Sequence, residues 1–288
     1  MREEVRQIQR LLEEQIYIAD AGIATALYLS MALGKPLLIE GPAGVGKTEI
    51  AKALANALDT RLIRLQCYEG LDATTALYEW NYPKQLLHLK LEESSPASEA
   101  EKEAAIFSES FVLKRPLLQA ITEHERAPVL LIDEIDRSDE EFEAFLLEVL
   151  SDFQVTIPEI GTIKATHKPH VVLTSNRSRD LSDALRRRCL YHWIDYPSHE
   201  KELEIVRAKV PAIKDSLAAR VTSVMQATRT MSLSKVPGVA ETLDWANALV
   251  ALQATELNGE IMTETMGCFL KDEADIASFK AADVLATD

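Results

Sequence analysis

Eight consecutive residues, Gly41-Pro42-Ala43-Gly44-Val45-Gly46-Lys47-Thr48, fit the pattern G-x-x-x-x-G-K-[ST]. Each residue type has a task. The glycines let backbone N–H groups close around phosphate oxygens, Lys47 offers a point charge to the β and γ oxygens, and Thr48 offers a hydroxyl to Mg²⁺. A second group follows far along the chain, where the apolar run Val129-Leu130-Leu131-Ile132 ends in Asp133 and Glu134. Nucleotide hydrolysis needs a phosphate cradle, a magnesium holder, a residue that activates water, and positive charge at the transferred phosphoryl group. Thr48 and Asp133 are the expected Mg²⁺ ligands, directly or through water, and Glu134 is placed to orient and deprotonate the water. Asn176 closes the apolar run that starts at His170 and could bond that water or the γ-phosphate, if its strand lies between those of the cradle and Asp133. Arg186-Arg187-Arg188 precedes another strand-like run, too far along the sheet to reach its own cradle. A guanidinium supplied to a neighbour's cradle would couple hydrolysis to assembly; Arg187 and Arg188 are equal candidates.

Those residues need elements to hold them. Pro36 to Glu40 is short and apolar enough for a buried strand, and Thr48 to Leu58 repeats Ile50, Leu54, Ala57 and Leu58 at helical spacing. Arg61 to Cys67 alternates arginine with apolar residues and reads as a strand near the sheet edge. His170 to Asn176 and Leu190 to Asp195 supply two more strands, and residues 153–168 flank Pro158-Glu159-Ile160 as a β-hairpin. Ahead of the cradle, Glu3 to Ala32 reads as two amphipathic helices meeting near Asp20-Ala21-Gly22. Tyr68, Tyr78, Trp80 and Tyr82 crowd a segment that either meets a partner or covers the sheet edge. Glu92 to Glu103 is Ser-, Ala- and Glu-rich, the composition of a mobile loop or frayed helix. After Pro197 only helical periodicity remains. The division expected is a nucleotide-binding domain over 1–198 and a helical domain over 199–288.

The chain has 288 residues, 47% of them hydrophobic, and a net charge of −15. Such a charge argues against a protein that neutralises phosphates along DNA, so no nucleic acid partner is expected. Three cysteines far apart, Cys67, Cys189 and Cys268, suggest neither a disulfide framework nor a zinc site. No window is apolar enough for a membrane span, and the first residues are charged, which reads as a cytoplasmic protein. His167 and His170 flank Lys168-Pro169 with no thiol or carboxylate near, the pattern of a loop rather than of a transition-metal site.

Taken in order, Gly41 to Thr48, Leu130 to Glu134, Thr174-Ser175-Asn176 and Ala184 to Arg188, followed by a helical tail, resemble an AAA+ ATPase. Asp133-Glu134-Ile135-Asp136-Arg137, the insertion Tyr78 to Leu91 and the hairpin Val155 to Lys168 are similar to the MoxR family. Gln66 to Asp72, Asn81 to Leu87 and Thr242-Leu243-Asp244-Trp245-Ala246 resemble its branch that includes CoxD. The resemblance implies a three-layer αβα P-loop domain with a central parallel sheet, followed by a smaller all-helical lid domain. It further implies a hexameric, ATP- and Mg²⁺-dependent chaperone that remodels a client, with a von Willebrand factor A-domain protein as a possible partner. For that branch the client would be a molybdenum-containing CO dehydrogenase under maturation. Where many AAA+ proteins carry a sensor arginine, this chain has Ser234-Lys235-Val236-Pro237-Gly238; Lys235 is the candidate substitute, as a point charge rather than a fork. Two other readings compete: a nucleotide-gated scaffold with little turnover, and a DNA-linked motor, which the charge disfavours.

Overall fold

The computed structural model describes residues 3–92 and 98–282. Two helices lead in, α1 (Glu3–Glu14) and α2 (Ala21–Leu33). Val5, Ile8 and Leu12 form the buried stripe of α1, so that helix is amphipathic as expected. The α2 sequence carries no charge at all and has apolar residues on every side, with Leu29 and Leu33 exposed; the amphipathic expectation fails there.

Next come β1 (Leu37–Glu40), α3 (Lys47–Ala57), β2 (Leu62–Gln66), α4 (Ala73–Leu77), β3 (Tyr78–Trp80), α5 (Tyr82–Leu91) and α6 (Glu99–Ile106). The chain continues through β4 (Val112–Lys114), α7 (Pro116–Ile121), β5 (Val129–Asp133), α8 (Glu140–Asp152), β6 (Gln154–Ile157) and β7 (Gly161–Lys164). Then follow β8 (His170–Ser175), α9 (Asp183–Arg188) and β9 (Leu190–Trp193). Beyond β9 the described chain is helical: α10 (His199–Lys209), α11 (Asp215–Arg229), α12 (Val239–Ala251), α13 (Gly259–Thr265) and α14 (Glu273–Ala281).

Five strands make the central parallel sheet, in the order β2-β5-β8-β1-β9, with helices flanking it. Burial explains the order. Every residue of β1 and β5 is buried, as suits interior strands of a parallel sheet, whereas β2 alternates, as suits an edge. The register sets Gln66 beside Asp133 and Ile132 beside Leu173. By contacts the chain divides into two compact units that ignore chain order. One comprises Met1–Ala21, Glu40–Ala53 and Trp193–Asp288, the other Gly22–Ile39 and Leu54–His192.

The second unit is cored by Leu130, Ile132 and Leu173 from the sheet, with Leu117, Leu118 and Leu146 from helices. Each fully buried Leu or Ile contributes about 1.5–3 kcal/mol. In the first unit the helical core centres on Trp245, whose ring lies 4.5 Å from Phe269 and whose Nε1 donates to Thr265 Oγ1 at 2.8 Å.

The hairpin expected over 153–168 is present as antiparallel β6 and β7. The aromatic segment differs in detail. Tyr78 and Trp80 lie on β3, paired with β4, a three-residue strand too short to announce itself by periodicity. Trp80 packs edge-on against Phe107 at 5.4 Å. Helix α5 turns its apolar residues outward: Leu86 and Leu87 are 61% and 59% exposed, while Gln85 is buried and donates to the Ile106 carbonyl at 2.7 Å. In the stretch read as a loop or frayed helix, residues 93–97 lie outside the described residues. From Ser98 on the chain is helical instead, because Ser98 and Glu101 cap each other's backbone in a capping box.

Candidate functional site

Strand β1 delivers the chain into the phosphate loop. Gly44 and Gly46 adopt φ of 74° and 93°, which L side chains rarely tolerate. Gly41 is needed for space, since a Cβ there would sit 2.0 Å from the Ile194 carbonyl oxygen. Lys47 is 6% exposed and donates through Nζ to the carbonyls of Gly41 and Pro42, at 2.9 and 2.6 Å, tying the loop into a ring. Helix α3 starts at Lys47, so its first turn brings the positive end of a helix dipole to the end of the loop.

Beside that loop, in the same unit, lies a mostly apolar pocket of about 80 Å³ that sequence reasoning missed. Ile16, Ile18, Val45, Ile194, Ile205 and Leu243 supply apolar wall, and Tyr17, Glu49, Lys201 and Lys209 add polar atoms. Burial, with the Asp20 and Glu49 charges, pushes the Tyr17 hydroxyl well above its ordinary range, so it stays a neutral donor. Two ion pairs from α10 stand at this pocket, Lys201 with Asp20 at 2.9 Å and Lys209 with Glu49 at 4.0 Å. No short motif marks it, because its walls come from four separated stretches of chain, around residues 16–18, 45–49, 194–209 and 239–243.

The other unit holds the paired carboxylates. Asp133, the last residue of β5, is 2% exposed. Arg64 donates to its Oδ2 from Nε and Nη2, and Thr174 donates to its Oδ1. Glu134 follows in a left-handed conformation, φ 56° and ψ 50°. Its N–H donates to Thr174 Oγ1 at 2.9 Å, and its carboxylate accepts from Gln66 Nε2 at 3.1 Å and Arg137 Nε at 2.9 Å. Adjacent residues thus carry one buried, filled carboxylate and one that is a third exposed.

Asn176 comes directly after β8, and β8 does lie between β1 and β5 in the sheet. Its N–H donates to Asp136 Oδ1 at 3.2 Å. Asp136 also takes the N–H and hydroxyl of Ser178, at 2.8 and 2.7 Å. Burial alone would raise the Asp136 carboxyl, but these donors prevail and hold it below its ordinary value. Asp136 therefore organises the turn that carries Asn176, a role its place in the sequence did not reveal.

The three arginines sit at the end of α9 and differ in their surroundings. Arg188 donates through Nη1 to the Leu147 carbonyl and Ser151 Oγ, both at 2.7 Å. Arg187 is exposed, and its side chain makes no hydrogen bond or ion pair among the described residues. Lys235 lies on an exposed loop whose backbone is anchored to α14, with its N–H 3.0 Å from Asp275 Oδ2. The N–H groups of Ser234 and Lys235 hold the Asp275 carboxyl below its ordinary value. Gly238, Ala240 and Glu241, not singled out from the sequence, are the helical-segment residues that stand against the phosphate loop at Gly44.

Burial pushes Cys67 and Cys189 up to about 12, so neither is a nucleophile at neutral pH.

Residues 37–194, more than half of the chain, match the model of the ATPase family associated with various cellular activities (AAA). The chain belongs to this AAA family. An uncharacterized protein of Staphylococcus haemolyticus is 24% identical over 229 residues, 77% of this chain and 79% of that protein. The chaperone protein ClpB 2 of Parasynechococcus marenigrum is 32% identical over 142 residues, 48% of this chain and 13% of ClpB 2. Among solved structures, the RuvB Holliday junction branch migration motor of Thermotoga maritima aligns over 90% of this chain and 68% of that one, with a TM-score of 0.48 and 21% identity. Membership in an AAA ATPase family implies nucleotide binding, to which loop 41–48 is suited. Among the described residues no helix is long and apolar enough to cross a membrane.

Proposed function

We propose that the chain hydrolyses ATP and uses the cycle to remodel a client protein. The observation that carries hydrolysis is the unequal pair closing β5. Asp133 is buried, ionically paired and fixed by Thr174, the environment of a carboxylate that holds a cation. Glu134 is a third exposed and held by side chains that can let go, the environment of a group that meets water. Gly41 to Thr48 bind the phosphates, with Lys47 released from two carbonyls to serve the β and γ oxygens. Thr48 and Asp133 offer hydroxyl and carboxylate oxygen, the hard donors that Mg²⁺ prefers. Mg²⁺ held there would neutralise charge on the phosphate oxygens. Glu134 takes the proton from the attacking water, and Asn176 orients that water. The apolar pocket beside the loop receives the base, adenine in this reading, with the neutral Tyr17 hydroxyl as a half-buried donor.

The motifs that resemble the MoxR family, and a relative named as a chaperone protein, ClpB 2, of which the match covers 13%, support remodelling. The finer reading follows the CoxD-like stretches: a cytoplasmic, hexameric chaperone in maturation of a molybdenum-containing CO dehydrogenase, with a von Willebrand factor A-domain partner. In it residues 1–198 form the nucleotide domain and 199–288 the lid, Lys235 stands in for the lid sensor, and an arginine of the 186–188 run completes a neighbour's site.

Turnover of the purified chain and of Glu134→Gln tests hydrolysis. We expect the variant to bind ATP and to lose at least about 100-fold in turnover. Equal and negligible turnover in both would make the chain a nucleotide-gated scaffold. Genes for a molybdenum hydroxylase and an A-domain protein beside this one would support the maturation role; restored metal content of that client on co-expression tests it.

A further inference from the structure

The first unit contains a contact between two glycine backbones that the nucleotide reading does not require. Gly238, just before α12, meets Gly44 in the middle of the phosphate loop. A Cβ on Gly238 would lie 2.7 Å from both the Ala43 carbonyl oxygen and Gly44 Cα, and 2.8 Å from the Gly44 carbonyl carbon. These neighbours are backbone, so no side chain can swing aside. Gly238 has an ordinary extended backbone, φ −90° and ψ −170°, so conformation does not call for glycine there; space does.

A hydrogen bond fixes the contact. The Ala240 N–H, one of the four donors that a helix start leaves unpaired, donates to the Gly44 carbonyl at 3.0 Å. The peptide joining Gly44 to Val45 is planar and trans, so its C=O and N–H point in opposite directions. Holding the Gly44 carbonyl toward α12 therefore commits the Val45 N–H to the side away from α12, as a donor free for a phosphate oxygen.

The far side of this segment is equally restrained. Arg229 donates through Nε to the Pro237 carbonyl at 2.8 Å and grips Glu202 with Nη1 and Nη2 at 2.6 and 2.7 Å. Glu202 is fully buried, and the Thr242 hydroxyl donates to it at 2.6 Å. Glu241 accepts the Gly238 N–H at 2.8 Å. Residues 237–242 thus form a stiff bridge between a buried ionic network and one peptide of the phosphate loop.

We infer that Gly238 and Ala240 act as a latch that presets the phosphate loop and lets the helical segment behind it sense phosphate binding. They are positioning residues, and the inference rests on the nucleotide reading above. The coupling is reciprocal: a latch that favours phosphate binding is itself tightened when phosphate binds.

The test uses the full chain, with ADP and ATP as probes and hydrogen exchange of α12 as the reporter. In the wild type, ADP should slow exchange across the start of α12. Gly238→Ala drives a methyl group into the loop backbone, whereas Ala240→Pro removes the donor at a first-turn position where proline is tolerated. Each should weaken ADP and ATP alike by about tenfold, raise KM with kcat changed less than about twofold, and abolish the ADP effect on α12. Melting temperature checks that each variant is folded; the wild-type exchange measurement stands without either. A wild type that binds no nucleotide overturns the underlying reading and the latch with it. A wild type that binds ADP with no change in α12, or folded variants that bind as the wild type does, overturns the latch alone.

Discussion

Arg64 turns both Nε and Nη2 onto a single oxygen, Oδ2 of Asp133, at 2.9 and 2.6 Å. The acid proposed to hold Mg²⁺ is thus capped by a guanidinium from the neighbouring strand, half exposed where the acid is buried. A cation at Asp133 meets that positive charge and competes for that oxygen. Unit charges 4 Å apart interact by about 1 kcal/mol in water and about 4 kcal/mol at the screening typical of a protein surface.

Arg64→Gln should therefore lower the Mg²⁺ concentration for half-maximal turnover by at least about fivefold, the factor that about 1 kcal/mol of fully screened repulsion gives. A magnesium titration of ATP turnover reads it. An unchanged midpoint would mean that Arg64 only braces the strand.

Thr174 serves both acidic residues from one hydroxyl, donating to the Asp133 carboxylate at Oδ1 and accepting the backbone N–H of Glu134 at 2.9 Å. It is 1% exposed, so valine would fill its space while taking one hydrogen bond from Asp133 Oδ1 and one from the Glu134 N–H. Each lost bond costs about 1–3 kcal/mol, and the left-handed Glu134 loses the contact that fixes its backbone. Thr174→Val should lower turnover by about 10- to 100-fold and keep nucleotide affinity within about threefold. Stopped-flow binding beside steady-state turnover separates the two; equal losses in both would show general disruption.

What the sequence made legible followed from local pattern. Loop 41–48 is read from spacing, because a cradle of backbone N–H groups is one continuous segment. Asp133 and Glu134 are read because four buried residues and a polar end mark the tip of an interior strand. Their partners were hidden. Arg64 and Gln66 look like the exposed face of an edge strand, and β2 is an edge strand; only its register beside β5 turns those side chains onto Asp133 and Glu134. Gly238 is one glycine in a polar turn until its contact with Gly44, far away in sequence, is known. Pairing between distant segments lies behind each omission.

The Asp136 carboxyl is held below its ordinary 3.8 by Ser178 and by the N–H of Asn176, against the cost of burial. A depressed carboxylate stabilises the fold fully above the unfolded value, and that share is lost as the pH falls through 3.8 toward the lower folded value. Asp136→Asn should cost about 1–3 kcal/mol at pH 7 and remove that part of the acid sensitivity below about pH 4. Urea melts at pH 7 and pH 3.5 give both numbers. A variant whose deficit is as large at pH 3.5 as at pH 7 would show that the charge of Asp136 is not what matters.

The arginine run makes two candidates unequal. Arg188 is occupied, donating to the Leu147 carbonyl and Ser151 Oγ on α8, so its guanidinium ties α9 to that helix. Arg187 is exposed and uncommitted among the described residues, as a group meant for a neighbouring subunit must be. An arginine delivered in trans to a transferring phosphoryl group is worth about 10³- to 10⁵-fold. Arg187→Ala should leave the ATP affinity of the isolated chain unchanged and cut turnover at assembling concentrations by at least about 100-fold. Arg188→Ala should instead lower the melting temperature by a few degrees, about 1 kcal/mol of lost hydrogen bonding. Turnover measured against protein concentration separates them: concentration-dependent activity disappears in Arg187→Ala and persists in Arg188→Ala. The reverse assignment would require Arg188 to leave α8 on assembly, and loss of activity in Arg188→Ala alone would establish it.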